Sequence, residues 1–181
     1  MTKLTDLTAL TETPAPDDVL VVVDVSDTTQ AASGTTKAVE WSALAPRVRV
    51  FASASQPTSN ATQTSLTFDT ETFDTDTMHD TGTNPERITF TTAGVYLVGG
   101  HNSWASSSAG RRQLRILLNS ATQLTNVVQD VDTGTGHVLS VVTIFDMAAG
   151  DFVELQAFQN TGGDLNAPAA TFWAVQVGAA T

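Results

Sequence analysis

The sequence predicts an all-β sandwich, and three observations support this prediction. Apolar residues make up 41% of the chain and charged residues 15%, so its polarity comes largely from Thr, Ser, Asn and Gln. β-Branched Thr suits a pleated strand better than a helix. From Leu66 onward, short alternating segments recur between turn signals. No segment there keeps an apolar period of about 3.6 residues over three turns, so we expect almost no helix.

Length and charge limit the possible functions. A chain of 181 residues can form one full-sized domain and a smaller appendage. Its net charge of -11, from 19 acidic and 8 basic residues, disfavours binding to nucleic acid. The absence of cysteine excludes disulfides, thiolate metal sites and a thiol nucleophile. The N-terminus lacks signal-peptide features, and the apolar stretch 19–23 is far shorter than a membrane span of about 20 residues. We expect synthesis in the cytoplasm and no membrane insertion.

Residues 1–50 are predicted to form a docking segment with a β-hairpin. Val19–Val25 and Thr35–Trp41 are strand-like, with a polar connection between them. An isolated hairpin is marginally stable in water, so this segment needs a partner surface. The apolar residues assigned to docking are Leu20, Val22, Val25, Val39, Trp41 and Leu44.

Residues 51–65 are predicted to be a linker or neck, and residues 66–181 a knob domain. Positions 52–65 contain no large apolar residue, so burial there cannot offset the entropy of ordering the chain. The knob contains about eight strands. In one of them Leu114, Ile116 and Leu118 share a face before a turn at Asn119 and Ser120, and another is a long buried strand over 137–145.

The order of these strands resembles the C1q and tumour-necrosis-factor jelly roll over about residues 62–178. The segments that carry the resemblance are Phe73-Asp74, Ile88–Phe90, Thr92–Leu97, Leu117–Asn119, Val138–Val142, Ala149–Leu155 and Phe172–Val175. Gly94 and Gly150 are expected to permit a turn with positive φ or a close approach of the chain.

The jelly-roll resemblance implies a homotrimer. Tyr96, Trp104 and Trp173 are candidates for the trimer axis or for the core of one subunit. The alternative is a monomeric sandwich with these aromatic residues inside it.

The first zone resembles an N-terminal segment of bacteriophage head-fibre, decoration and tail-appendage proteins. The matching residues are Asp24–Lys37 and the end Trp41–Leu44. This resemblance implies docking on phage capsid or tail proteins and a location on the virion surface.

The stretch 69–80 contains the one dense polar cluster. Asp74, Asp76 and Asp80 are candidates for calcium binding, because calcium prefers oxygen ligands. A solvated acidic loop is the alternative, and no other cofactor is expected. His79, His101 and His137 are too scattered for a metal triad, although three copies of one histidine could meet on a trimer axis.

No motif predicts an enzyme, because a nucleophile elbow, a metalloprotease pair and a phosphate-binding glycine loop are all missing. Arg111, Arg112 and Arg115 are candidates for surface recognition, either of acidic loops such as Asp130 on a neighbouring subunit or of a host glycan. Alternatively, Arg111 and Arg115 are solvated charges on the outer face of a strand.

Three functional hypotheses follow. The first is a capsid decoration protein or head fibre, and the second is a tail-tip protein that recognises a host glycan or protein. The third is a secreted bacterial lectin or adhesin, against which the missing signal peptide argues.

Overall fold

The computed structural model describes residues 19–24, 35–40, 45–107, 110–131, 134 and 136–180, with the backbone alone for the first two segments. Every regular element within these residues is a β-strand. The chain divides into two compact units, Met1–Leu44 and Ala45–Thr181.

The first unit contains an antiparallel hairpin of β1 (Val19–Asp24) and β2 (Thr35–Glu40). Leu20 pairs with Val39, and Val22 pairs with Lys37. The predicted hairpin is therefore confirmed. Of the predicted docking residues, Val25, Trp41 and Leu44 lie outside the described residues.

The second unit is a sandwich of antiparallel strands. Its strands are β3 (Arg47–Phe51), β4 (Gln56–Thr58), β5 (Thr64–Ser65), β6 (Thr70–Asp74), β7 (Arg87–Thr89), β8 (Gly94–Trp104), β9 (Arg111–Leu118), β10 (Thr122–Asp130), β11 (His137–Met147), β12 (Phe152–Gln159), β13 (Leu165–Ala167) and β14 (Ala169–Gly178). The front sheet has the order β11-β8-β14-β3-β6. The back sheet has the order β10-β9-β12-β5, with β7 also paired to β12. β4 and β13 form a two-stranded ribbon. This arrangement confirms the predicted jelly-roll sandwich.

The core lies between the two sheets and is rich in aromatic residues. Phe68 stacks on Phe172 with ring centroids 5.7 Å apart, and Phe90 contacts Tyr96 at 4.5 Å. The Tyr96 hydroxyl donates a hydrogen bond to the carbonyl of Thr92 at 2.8 Å. Burial, followed by the charge of Asp76, raises the pKa of Tyr96 to about 12. A core of this kind accounts for the stability of a chain without disulfides.

Two predicted turns have the expected backbone geometry. Asn119 and Ser120, between β9 and β10, have φ values of 50° and 55°. This matches a type I′ turn, whose twist fits a tight hairpin. Gly150 has a φ of 94°, and the close approach is found at Gly94, where an added Cβ would lie 2.8 Å from the carbonyl oxygen of Gly178.

The predicted linker over 51–65 is wrong, because these residues form part of the sandwich wall. β3 pairs with β14, β4 with β13 and β5 with β12. Between the strands, the N–H of Ala61 donates to the carbonyl of Gln159 at 2.7 Å. Small polar residues here satisfy their backbone groups on neighbouring strands. The unit boundary lies between Leu44 and Ala45, so the predicted docking segment also extends too far.

Candidate interaction surfaces

The outer face of the front sheet carries exposed apolar residues, with Arg49 and His101 lying among them. On the edge strand β11, Val138, Val142 and Ile144 point away from the core and are 62%, 56% and 61% exposed. Strand register places Leu97 between Ile144 and Val175. The predicted long strand is confirmed, but only one of its faces is buried within the subunit, which leaves Val138, Val142 and Ile144 exposed on the other face.

One row of this surface brings the Trp173 ring against Gly99. The register aligns Phe73, Arg49, Trp173, Gly99 and Val142 across the sheet. The Trp173 ring lies against Gly99, where an added Cβ would come within 2.3 Å of Cζ2. The missing Cβ of Gly99 therefore leaves the space that the indole occupies.

A groove of about 340 Å³ runs beside this row. Arg47, Arg49, Phe73, Trp173 and Val175 line it, together with the backbone neighbours of these residues. The groove is mainly apolar and carries two of the few basic residues of the chain at its rim. Such an exposed apolar surface is typical of an interaction site.

His101 lies on the same face, on the central strand β8. It pairs with Thr171 on β14 and with Ser140 on β11. Partial burial, followed by the positive charge of Arg49, lowers its pKa from the ordinary value of 6.5. His101 is therefore a titratable group inside an apolar surface.

The three candidate aromatic residues occupy different environments. Tyr96 and Trp104 are 0% and 1% exposed and belong to the core of the subunit, so the trimer-axis assignment does not fit them. Trp173 lies on the outer face, and the axis role remains a prediction for this residue.

The three candidate arginines do not form one recognition surface. Arg111 is exposed, and its Nε lies 3.2 Å from Oδ1 of Asp130 in the same chain, on the paired strand β10. Arg115 donates two hydrogen bonds to Oε1 of Gln156. Arg112 is 0% exposed, so its assignment to surface recognition is wrong. It alternates inward with Leu114 and Ile116, and burial lowers its pKa.

The candidate calcium residues stabilise their own loop. Asp74 accepts hydrogen bonds from the N–H groups of Asp76 and His79, at 3.1 and 2.9 Å. Asp76 accepts a hydrogen bond from the Thr91 hydroxyl. Asp80 accepts from the N–H groups of two later residues. Within the described part of the chain, no group of three His, Asp or Glu side chains is arranged to hold a metal ion.

The loop over 75–86 borders an open polar cavity that was not predicted from the sequence. Its volume is about 180 Å³, and its lining residues are Thr77, Met78, His79, Asp80, Thr83, Asn84, Arg87 and Thr89. The Asp80-Thr-Gly82 turn is readable in the sequence. The position of the Arg87 side chain depends on its tertiary contact with Phe152, so no sequence pattern indicated the cavity.

The comparisons show the fold of the second unit and not its function. No protein-family model matches the chain, and no curated protein matches it either. The globular domain of zebrafish complement 1qA superposes with a TM-score of 0.58 and 19% identity, over 74% of this chain and 98% of that one. Murine APRIL superposes with a TM-score of 0.56 and 9% identity, over 74% of this chain and 99% of that one. Eiger TNF from S. frugiperda superposes with a TM-score of 0.51 and 15% identity, over 76% of this chain and 94% of that one. The chain therefore contains a C1q/TNF-like jelly roll.

None of the residues described by the structure belongs to a helix that is long and apolar enough to cross a membrane.

Proposed function

We propose that this chain is a non-enzymatic, homotrimeric structural protein on the surface of a bacteriophage particle. The jelly-roll unit forms a projecting knob, and the N-terminal unit docks on the virion. The observation that carries the trimer is the exposed apolar outer face of the front sheet. The C1q/TNF-like fold supports self-association through such a face.

The pattern of β11 supports burial of this face in an assembly. Leu139 and Val141 are 6% and 7% exposed and face the core, whereas Val142 and Ile144 on the other face remain accessible. A strand with apolar residues on both faces is typical of burial on both sides. In the proposed trimer, a partner subunit covers the second face.

The position on a phage particle is supported by the resemblance of the first zone to phage anchoring segments. The hairpin of β1 and β2 is the shape expected for such an anchor. We favour a capsid decoration protein or head fibre. A tail-tip protein that recognises the host surface is the second candidate.

The molar mass in solution tests the trimer. Size-exclusion chromatography with light scattering should give about 57 kDa, three times the 19.0 kDa of one chain. Val142→Asp places a charge in the apolar face and should give a folded species of 19.0 kDa. Val128→Asp is the matched control, since Val128 is 45% exposed on β10 of the other sheet and its substitution should leave the trimer intact. A wild-type monomer would overturn the proposed assembly.

Copy number on purified virions tests the location. A decoration protein should be present in hundreds of copies, counted against the major capsid protein by gel densitometry. A handful of copies would favour the tail-tip function, and absence from the particles would overturn both.

A further inference from the structure

We infer that the cavity under the loop over 75–86 binds a neutral saccharide through the Arg87 guanidinium and the Asp80 carboxylate. This inference concerns one subunit. It depends neither on the trimer nor on the location of the protein on a particle.

Arg87 provides unused donors at the cavity wall. Its guanidinium carbon lies 4.6 Å from the centroid of the Phe152 ring, which fixes the side chain by a cation–π contact. Among the described residues, no acceptor is bonded to the guanidinium, and a guanidinium carries five N–H donors. Arg87 is therefore held in place with its hydrogen-bonding capacity available to a ligand.

Asp80 provides a fixed acceptor on the same cavity. Its Oδ1 accepts hydrogen bonds from the N–H groups of Gly82 at 2.8 Å and Thr83 at 3.0 Å. These bonds lower the pKa of Asp80 and keep it ionised. Since a carboxylate has about four acceptor positions, capacity remains for a ligand hydroxyl. Asp80 and Arg87 both line the cavity and yet form no ion pair with each other within the described residues.

The loop holds its shape without a ligand. The N–H of Thr89 donates to the carbonyl of Met78 at 2.7 Å, which closes the base of the loop. The buried His79 ring contacts Oε1 of Glu71 at 3.1 Å and the carbonyl of Pro85 at 3.3 Å. A preorganised wall lowers the ordering cost of binding.

The chemistry of the lining selects the ligand class. A hydroxyl donates to a carboxylate and accepts from a guanidinium, so neighbouring hydroxyls can bond to both groups. An anion would be repelled by Asp80 and by the net charge of -11. The volume of about 180 Å³ exceeds the roughly 30 Å³ of one water and is smaller than a drug-sized pocket of about 300–1,000 Å³. It fits a ligand of the size of one sugar residue.

Saturation-transfer NMR and titration on the full chain test the inference, with the methyl glycosides of mannose, galactose and glucose as probes. At least one should bind with a millimolar dissociation constant. Arg87→Met keeps an apolar stem on Phe152 and should weaken binding by about tenfold or more. Arg111→Met is the matched control, because it removes the same charge from an exposed site on β9 and should leave binding unchanged.

Asp80→Asn is the second variant, because the amide oxygen can still accept the two backbone bonds and preserve the loop. It should weaken binding with an unchanged melting temperature. Failure of all three glycosides to bind the wild-type chain would overturn the inference. Equal binding by the Arg87 and Arg111 variants, or binding of inorganic phosphate instead of the glycosides, would overturn it too.

Discussion

A single absent Cβ atom at Gly99 determines how Trp173 packs. In Gly99→Ala, the added methyl group would lie 2.3 Å from Cζ2 of the indole, so the ring must move. We expect the unfolding free energy to fall by about 1–3 kcal/mol, as for other overpacked sites. Urea denaturation measures this loss, and near-ultraviolet circular dichroism should report the displaced indole.

Gly163→Ala is the control for this substitution. An added Cβ at Gly163 meets no atom within 4 Å, so the change should stay within about 0.5 kcal/mol. Equal stabilities of the two variants would contradict the role assigned to Gly99.

Gln159 is a buried polar residue whose side chain joins three segments. Its Nε2 donates to the carbonyls of Thr58 at 2.9 Å and Gly163 at 2.8 Å, while Oε1 accepts from the N–H and hydroxyl of Thr161. Gln159→Leu would remove the donor to the carbonyl of the buried Thr58 and would break the bonds to Thr161 and Gly163. We expect a loss of at least about 2 kcal/mol in urea denaturation.

Gln123→Leu provides the comparison, because Gln123 is exposed on β10. Gln123→Leu should change the unfolding free energy only slightly. A similar loss of unfolding free energy in both variants would show that the hydrogen bonds of Gln159 contribute little to stability.

Arg112 shows why the position of a single residue could not be predicted from the sequence alone. Alternation correctly placed Leu114 and Ile116 inside, and the same alternation would have placed Arg112 inside with them. The charge of Arg112 favoured a position on the surface, but its side chain is buried. The contact of Trp173 with Gly99 has no sequence pattern, because it joins segments that are distant in the chain. The cavity at the loop over 75–86 is lined by residues close in sequence, but the irregular path of this loop follows no periodic pattern.

At the scale of elements, strands with strong alternation were predicted and weakly patterned strands were missed. β9 and β11 correspond to predicted strands, and β8, β12 and β14 overlap the segments 92–97, 149–155 and 172–175 that carry the jelly-roll resemblance. β4 and β5 are short and polar and are held by backbone hydrogen bonds to distant partners, so composition alone suggested a linker. β10 was missed for a related reason, since it is largely exposed and shows little apolar alternation.

Because β3, β4 and β5 belong to the sandwich, the chain can be shortened before β3 but not after it. A chain that begins at Ala45 should fold, because it keeps β3 between β14 and β6 and retains the fully buried Val48 and Val50. A chain that begins at Leu66 lacks β3, β4 and β5 and should lose cooperative unfolding, because the core is left open. Thermal unfolding followed by circular dichroism distinguishes the two, and a cooperative transition in the shorter chain would restore the neck interpretation.

At the scale of the whole molecule, the apolar face and the acidic charge have opposite effects on assembly. A net charge of -11 per chain opposes the approach of identical subunits, whereas burial of the apolar face favours it. The basic residues Arg47 and Arg49 border the groove on this face, so the region of contact is less acidic than the rest of the surface. The proposed trimer should accordingly become tighter at high salt, where repulsion is screened.

His101 makes the proposed trimer sensitive to acid. Its neighbours across the strands, Thr171 and Ser140, are uncharged, and Arg49 is the charged group whose field reaches it. Burial and Arg49 lower its pKa below 6.5, so the folded state favours the neutral ring, and a partner subunit would deepen that burial. The contribution of the neutral His101 ring to the stability of the folded subunit is therefore complete above its ordinary pKa. This contribution is lost as the pH falls below that value and through the lowered pKa of the folded state.

Light scattering at about pH 7.5 and about pH 5 measures this effect, since an ordinary histidine changes charge between these values. The protein concentration at which half of the wild-type trimer has dissociated should be higher in acid than at neutral pH, because the trimer is weaker in acid. His101→Asn removes the titrating ring, so its trimer should respond much less to acid, and protonation of carboxylates elsewhere affects both proteins alike. Equal acid sensitivity of the two proteins would exclude His101 as the cause, whereas a monomer at about pH 7.5 would contradict the trimer itself.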